Sequence, residues 1–150
     1  MANYFFRFTD TIDNTLAAGG IAQDATTQRR AYLVGLTFRL TALPITDQQI
    51  ELAVTRGTTA LGTSTPVTPA AVDPGDVVAS TVDPQENYTV NPTLGSQVGG
   101  KGGNVRQDIQ LVIKTGKEII LAATANLSLL FRPIVGPANT CSGGCEYDER

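Results

Sequence analysis

Two consecutive segments with period-two alternation limit the folds that this chain can adopt. In AYLVGLTFRLTA (31–42) every second side chain is apolar, and QQIELAVTR (48–56) repeats the pattern. Alternate side chains of an extended strand point to the same face, so each segment predicts a half-buried antiparallel strand. A short loop containing Pro44 joins the two as a hairpin-like pair. The apolar face of the first strand is expected to carry Tyr32, Val34, Leu36, Phe38 and Leu40.

Further strand patterns run along the chain, and no segment shows helical periodicity. ANYFFRFT (2–9) predicts either a first strand inside the fold or an N-terminal arm (1–10) whose aromatic residues pack on a neighbouring subunit. Eight or nine strands with long connections favour an all-β fold, a single-domain antiparallel β-sandwich of jelly-roll type over residues 1–135. The other strand candidates are residues 77–82, 87–90, 105–114, 118–123 and 127–132, with regular structure ending at Pro133.

The segment Thr55–Thr81 is a long connection between two of these strands. Its prolines fix φ and donate no backbone hydrogen bond, which excludes a helix or a central strand. A connection of this length usually has a function in a compact domain. We expect it to pack on the sandwich or on a neighbouring subunit as a semi-rigid contact element.

A second unusual segment, GSQVGGKGGN (95–104), is rich in glycine. A phosphate-binding P-loop needs Gly-Lys-Ser/Thr at the start of a helix, whereas Lys101 is followed by Gly102 and no helical pattern succeeds it. The composition therefore predicts a flexible surface loop, because glycine loses more conformational entropy on ordering than other residues.

The last fifteen residues, GPANTCSGGCEYDER (136–150), are interpreted as a C-terminal tail. They hold both cysteines, Cys141 and Cys145, separated by three residues. Two thiols without histidine cannot complete a zinc site, and a redox motif has two intervening residues. The alternatives that stay open are a local disulfide, two free thiols, or bridges to another chain.

Composition excludes several classes of function. The chain has no histidine, which removes the Ser-His-Asp and Cys-His nucleophile systems and most zinc hydrolase sites. A net charge of −3 gives no basic surface for nucleic acid. No run approaches the roughly 18 apolar residues of a membrane span, and no secretory signal is visible. We expect no metal, no cofactor, no nucleic acid, no membrane contact and no catalytic residues.

An ordered set of residues resembles small structural proteins of tailed-bacteriophage particles, of the capsid decoration (cement) type. The set starts with the alternating strand 31–40 and the strand 50–56, and it ends with the strands of 118–133. Between them lie Gly57, Thr58, Gly62, Thr63, Thr65, Pro66, Asp73, Pro74, Gly75, Asp76, Ala79, Ser80 and Thr81.

The resemblance covers about residues 31–133. It implies a non-enzymatic β-sandwich that is made in the host cytoplasm and assembles on the virion surface. The partners that it implies are the major capsid protein and further copies of the chain, as a dimer or trimer. The candidate partner contacts are Tyr4, Phe5, Phe6, Pro66, Pro69, Asp73, Pro74 and Asp76.

Two other classes of function remain as alternatives. The first is a receptor- or glycan-binding module of a phage tail or fibre, with Tyr88 as the best-placed aromatic residue. The second is an enzyme that uses carboxylates, for which Glu51, Asp108 and Glu118 lie on or beside predicted strands. Solvent-exposed charge explains each of these carboxylates as well.

Overall fold

The computed structural model describes residues 2–11, 15–23, 29–41, 49–58, 62–75, 79–104, 106–114, 116–134 and 140–150. Strands hold 71% of these residues, no helix occurs among them, and two antiparallel sheets pack face to face. The predicted all-β sandwich is confirmed. The strands are β1 (Ala2–Thr11), β2 (Gly19–Gln23), β3 (Ala31–Leu40), β4 (Gln49–Thr58), β5 (Thr63–Pro66), β6 (Ala70–Ala71), β7 (Val82–Val90), β8 (Thr93–Asn104), β9 (Ile109–Val112), β10 (Ile119–Leu121), β11 (Ser128–Ile134) and β12 (Thr140–Glu149).

The pairings are nested, as in a long hairpin rolled into a sandwich. The first strand pairs with the last (β1 with β12), and β2 pairs with β11. Strand β3 pairs with both β9 and β10, which together form one interrupted edge, and β4 pairs with β8. Sheet A therefore has the order β10-β3-β12-β1-β6 with β9 also on β3, and sheet B has the order β5-β7-β2-β11-β4-β8. This nesting of antiparallel pairs is jelly-roll topology.

The described residues 62–75 of the Pro-rich segment 55–81 cross from one sheet to the other. After β4 ends, β5 pairs with β7 at the edge of sheet B, and β6 pairs with β1 at the edge of sheet A. Backbone hydrogen bonds of 2.9 Å from Val67 N to Pro84 O and from Val72 N to Asn3 O fasten it on both sides. The segment thus packs on the sandwich, as the sequence predicts.

The main core lies between the sheets and includes Phe6, Phe8, Leu52, Phe131 and Tyr147. A smaller cluster of Ala17, Tyr88 and Leu130 lies apart from it. Phe8 is fully buried, and its ring lies 5.7 Å from that of Phe131 in the opposite sheet, measured between centroids. Because alternating aromatic residues of β1 enter this core, the first segment is an internal strand and not an arm.

One strand changes its inward face partway along. In β3 the buried apolar residues are Ala31, Leu33, Leu36 and Phe38, whereas Tyr32 and Val34 are only half-buried. The register with β12 shifts between Glu146 and Tyr147, so β3 carries one extra residue there. Such a β-bulge changes the phase of the alternation. The expectation that Tyr32 and Val34 share the face of Phe38 is therefore wrong.

The interpretation of 136–150 as a tail is also wrong. Strand β12 runs through the middle of sheet A, between β1 and β3, and buries Cys141, Cys145 and Tyr147. The Glu149 carboxylate is 2% exposed and accepts hydrogen bonds from the backbone N–H groups of Thr81 and Val82 and from the Ser80 hydroxyl. These donors compensate for burying its charge and fasten the end of β12 to the start of β7.

Other boundaries differ from expectation, in part because glycine in a sequence is typical of turns, whereas here it lies inside strands. The predicted flexible loop at 95–104 is part of β8, and Gly19-Gly20 lie in β2, which is buried throughout. Strand β7 is one continuous strand, and residues 77 and 78 of the predicted strand 77–82 are outside the described residues. Strand β11 continues through Pro133 to Ile134, whereas β9 and β10 are shorter than predicted.

Removing β12 is expected to abolish folding, because it would separate β1 from β3 and open the core. A chain that ends before Thr140 should show neither a cooperative thermal transition nor dispersed amide resonances. Removal of Arg150 alone is the control, since its 3.7 Å ion pair with Asp148 is partly exposed and contributes about 0–1 kcal/mol. A truncated chain that melts cooperatively would contradict the central position of β12.

Two glycines of sheet A offer a matched test of the packing. A Cβ at Gly143 would lie 2.1 Å from Phe8 Cζ and 2.6 Å from Thr37 O, whereas at Gly35 the nearest atom is 4.0 Å away. We expect Gly143→Ala to lower the free energy of unfolding by at least about 1–3 kcal/mol, through overpacking. Gly35→Ala should change it by no more than about 0.5 kcal/mol. Chemical denaturation measures both, and equal effects would contradict the assigned contact.

Candidate binding surfaces

The three aromatic contact candidates of β1 divide between core and surface. Tyr4 and Phe6 are each 2% exposed, and the Tyr4 ring stacks on Tyr147 with 5.6 Å between centroids. The chain itself covers these two side chains, so they do not face a partner. Phe5 points to the other face of sheet A and is 36% exposed. Of the three residues, Phe5 alone presents a surface.

The candidate partner contacts in the Pro-rich segment 55–81 lie at one side of the sandwich. Pro66, Asp73 and Pro74 are exposed, and Pro69 is half-buried. The backbone N–H of Gly75 donates to Asp73 Oδ1 at 2.8 Å, which is ordinary turn chemistry. Asp76 lies outside the described residues.

The fold brings part of this loop beside the exposed aromatic residue. Ala70 of β6 is the direct cross-strand partner of Phe5. The side chain of Val72, in the same stretch, is 53% exposed. Phe5 and Val72 therefore add two exposed apolar side chains to this side of the sandwich.

The cysteines are free thiols buried in the core, so of the open alternatives two free thiols is confirmed and the candidate local disulfide Cys141–Cys145 is wrong. Cys141 and Cys145 are four residues apart on one extended strand, which places their Cα atoms about 13 Å apart. A disulfide needs about 4.4–6.8 Å between Cα atoms. Burial, with a smaller contribution from the charge of Asp10, raises the pKa of Cys141 from 9.0 to about 12. Burial, followed by the charge of Glu146, raises the pKa of Cys145 well above its ordinary value.

A groove of about 470 Å³ runs over the outer face of sheet A. Its floor follows β12, where Ser142 and Gly144 place almost no side chain above the sheet. Phe5 and Arg7 of β1 form one wall, and Thr37 and Arg39 of β3 form the other, with Asp108 and Gln110 beyond them.

The strand register fixes which groove residues are neighbours. Arg7, Gly144, Thr37 and Gln110 lie in one row across four strands, and Ser142 and Arg39 lie in the next row. Two strand spacings and one side-chain repeat separate Arg7 from Arg39, which gives about 12 Å between their Cα atoms. Both long side chains can therefore reach one ligand in the groove. We call this set of residues the sheet A groove.

The charges of the groove are only weakly compensated within the described chain. Arg39 Nε donates to Ser142 Oγ at 3.4 Å, which is a long hydrogen bond. No described carboxylate forms an ion pair with Arg7 or Arg39, and the one described ion pair is between Arg150 and Asp148. The two guanidiniums thus keep most of their donors available for a ligand.

The second candidate surface is the free edge of sheet B. Strand β8 ends this sheet, and β4 is its one strand neighbour in the described part of the chain. Its twelve residues include five glycines and a single charge, Lys101. Near its start, Val90 and Leu94 are 56% and 40% exposed. We call β8 with these two side chains the β8 edge.

The residues considered for the alternative functions lie apart. Tyr88 is 2% exposed, so it cannot serve as a surface aromatic residue for a sugar. Glu51 Oε1 accepts from Gln97 on the outside of sheet B. Asp108 borders the sheet A groove, and Glu118 lies in a turn where the Gly116 N–H lowers the pKa of its carboxyl. No group of three metal-ligating side chains occurs within the described residues, and no described helix is long and apolar enough to cross a membrane.

Comparison with known proteins gave no match to any family model, to any curated protein or to any solved structure.

The sheet A groove is not visible in the sequence, because its residues meet only through strand pairing. Arg7 and Arg39 stand out in the sequence as polar residues in strands with alternating apolar residues. The sequence does not show that β12 lies between those two strands. The available signal was the period-two spacing of Cys141, Cys145, Tyr147 and Glu149, all of which are buried.

The thiols should be unreactive in the folded protein at neutral pH, because burial keeps them protonated. We expect a thiol reagent to modify both only as fast as the chain unfolds, and intact mass to show no loss of two hydrogens. Ala123→Cys, which places a thiol at an exposed position, is the control and should react at once.

The same thiols should make the free energy of unfolding decrease at alkaline pH. Burial raises the folded-state pKa of both thiols, to about 12 for Cys141, so their contribution to the free energy of unfolding is complete below about pH 9 and that of Cys141 is lost as pH rises toward 12. Each thiol can contribute up to about 1.4 kcal/mol per pH unit in that range. Denaturation at a series of pH values measures this slope. Fast labelling of the native protein, or a Cys141→Ala/Cys145→Ala variant with an unchanged slope, would contradict the assignment.

Proposed function

We propose that this chain is a non-enzymatic structural protein of a virus particle, of the capsid decoration type, which binds the surface of a phage head and stabilises its lattice. Its partners would be the major capsid protein and further copies of the chain, as a dimer or trimer. It would be made in the host cytoplasm and reside on the virion. The observation that carries the proposal is the β8 edge, and the resemblance of residues 31–133 supports it.

An unpaired strand edge binds another chain readily, because its backbone N–H and C=O groups lack partners on one side. Soluble proteins usually protect such edges with charges, proline or a covering element. Strand β8 has one lysine and no proline in twelve residues, and its five glycines let another backbone approach closely. Val90 and Leu94 add apolar area beside it. The β8 edge is therefore suited to being covered by a neighbouring protein.

A protein that clamps a lattice needs contacts on more than one side. The segment 63–71 joins the β5 edge of sheet B to the β6 edge of sheet A, and β8 and β9 lie together at the opposite edges. Five strand spacings place the β5 and β8 edges about 24 Å apart. Val72 and the exposed prolines on one side, and the β8 edge on the other, provide two separate contact surfaces, whereas Phe5 belongs to the sheet A groove.

The jelly-roll fold is compatible with this role but does not establish it. Jelly rolls occur both in viral capsid proteins and in lectins, and a fold alone does not determine function. A receptor- or glycan-binding module is therefore the second candidate. The observation that favours it is the sheet A groove, which lies on a different surface from the β8 edge.

The test uses capsids produced from the genome that encodes this chain, with its gene deleted. We expect the purified protein to bind them at a fixed stoichiometry and to raise their temperature of disruption. Gly102→Glu should weaken binding at least about tenfold, because the interface would bury an unpaired charge. A Cβ at Gly102 comes no closer than 3.8 Å to its neighbours, so the fold should tolerate this substitution.

Thr124→Glu adds the same charge at an exposed turn and serves as the control. It should bind capsids as well as the unmodified protein does. Failure of the unmodified protein to bind the capsids would overturn the decoration proposal. Equal binding by Gly102→Glu would show that the β8 edge is not the contact.

A further inference from the structure

The sheet A groove combines three kinds of chemistry within one concave surface. Arg7 and Arg39 supply positive charge and planar arrays of donors. Asp108 and Gln110 supply acceptors, and Phe5 supplies a ring that is 36% exposed. The volume of about 470 Å³ lies within the range of about 300–1,000 Å³ that is usual for small-molecule sites.

The shape of this groove is built into the backbone. A Cβ at Gly144 would lie 2.8 Å from two atoms of the Phe5 ring and 3.1 Å from Thr37 Oγ1. Any larger residue would therefore displace the ring and fill the floor. Because β12 has glycine where its neighbouring strands carry Arg7 and Thr37, the Phe5 ring lies low over the buried Gly144 and forms part of the groove floor.

We infer that the sheet A groove binds an acidic saccharide, with Arg7 and Arg39 pairing with its carboxylate and the Phe5 ring packing on an apolar face of a sugar ring. Guanidinium groups bind carboxylates through paired, charge-assisted hydrogen bonds. Asp108, Gln110 and Thr37 are placed to exchange hydrogen bonds with sugar hydroxyls. This inference does not depend on capsid binding.

The carboxylate of Asp108 favours a saccharide over an acidic peptide. An acidic peptide presents closely spaced carboxylates without hydroxyl donors, so one of its charges would face Asp108. A saccharide with one acidic group presents a single negative charge and several hydroxyl donors. A groove with two guanidiniums, one carboxylate and one exposed ring matches that pattern of charge and donors.

The test is a titration of the ¹⁵N-labelled full-length chain with defined probes. The acidic probes are 3′-sialyllactose and 6′-sialyllactose, each with one carboxylate, the neutral counterpart of both is lactose, and hexa-aspartate is the peptide probe. We expect at least one acidic saccharide to shift the amide resonances of Arg7, Thr37 and Gly144. Its neutral counterpart should bind at least about tenfold more weakly, since it lacks the charge-assisted bonds.

Variants identify the site. Arg7→Gln and Arg39→Gln should each weaken binding of that acidic saccharide about tenfold or more, without changing the melting temperature. Lys117→Gln removes one positive charge in an exposed turn and should leave binding unchanged. The groove and the β8 edge lie on different sheets, so the arginine variants should still bind capsids and Gly102→Glu should still bind the saccharide.

Three outcomes would overturn the inference. These are no binding of either acidic saccharide, binding that both arginine variants retain, and tighter binding of hexa-aspartate than of the saccharides. The last would identify the groove as a contact for an acidic protein segment. None of these outcomes bears on capsid binding, so failure here is distinguishable from failure of the decoration proposal.

Discussion

The packing of the Phe8 ring against two glycines is the interaction on which the rest of the sandwich depends. Phe8 is the direct cross-strand partner of Gly143, and a Cβ at Gly143 would lie 2.1 Å from its Cζ. In the facing sheet, a Cβ at Gly19 would lie 2.6 Å from its Cγ. One ring therefore occupies space that two side chains would need. This contact links the first strand, the last strand and β2, and so holds both ends of the rolled hairpin together.

That constraint explains which parts of the fold the sequence could reveal. Alternating apolar residues identify β1, β3, β4 and β11, because the bulky side chains of those strands fill the core. Strands β2 and β12 have small residues at positions that contact those side chains. These residues are glycine in β2 and glycine and cysteine in β12. A pair of glycines predicts a turn when considered alone. Inside these strands the need for glycine arises from the Phe8 ring, which contacts both Gly19 of β2 and Gly143 of β12.

The candidate surfaces were less predictable than the fold, since they depend on register. Arg7 and Arg39 reach one groove because both are paired, across Gly144 and Ser142, with the same central strand. A bulge at Val34 also changes which face of β3 is inward. A shift of one residue in either pairing would move the groove side chains to the core face. No local sequence pattern specifies the register of these pairings, because the core residues of the partner strands determine it.

The two sheets also differ in what their outer faces can do. The small cluster of Ala17, Tyr88 and Leu130 is anchored by Asn91, whose side chain accepts from Ala17 N at 2.9 Å and donates to Thr15 O. These buried residues are already packed within the chain and offer no surface to a ligand. In sheet A, Gly143 receives the Phe8 ring on the inner side, and the adjacent Gly144 receives the Phe5 ring of the groove on the outer side. The packing of the core and the shape of the sheet A groove therefore depend on adjacent residues of β12. A change in the core packing is coupled in this way to a change in the groove.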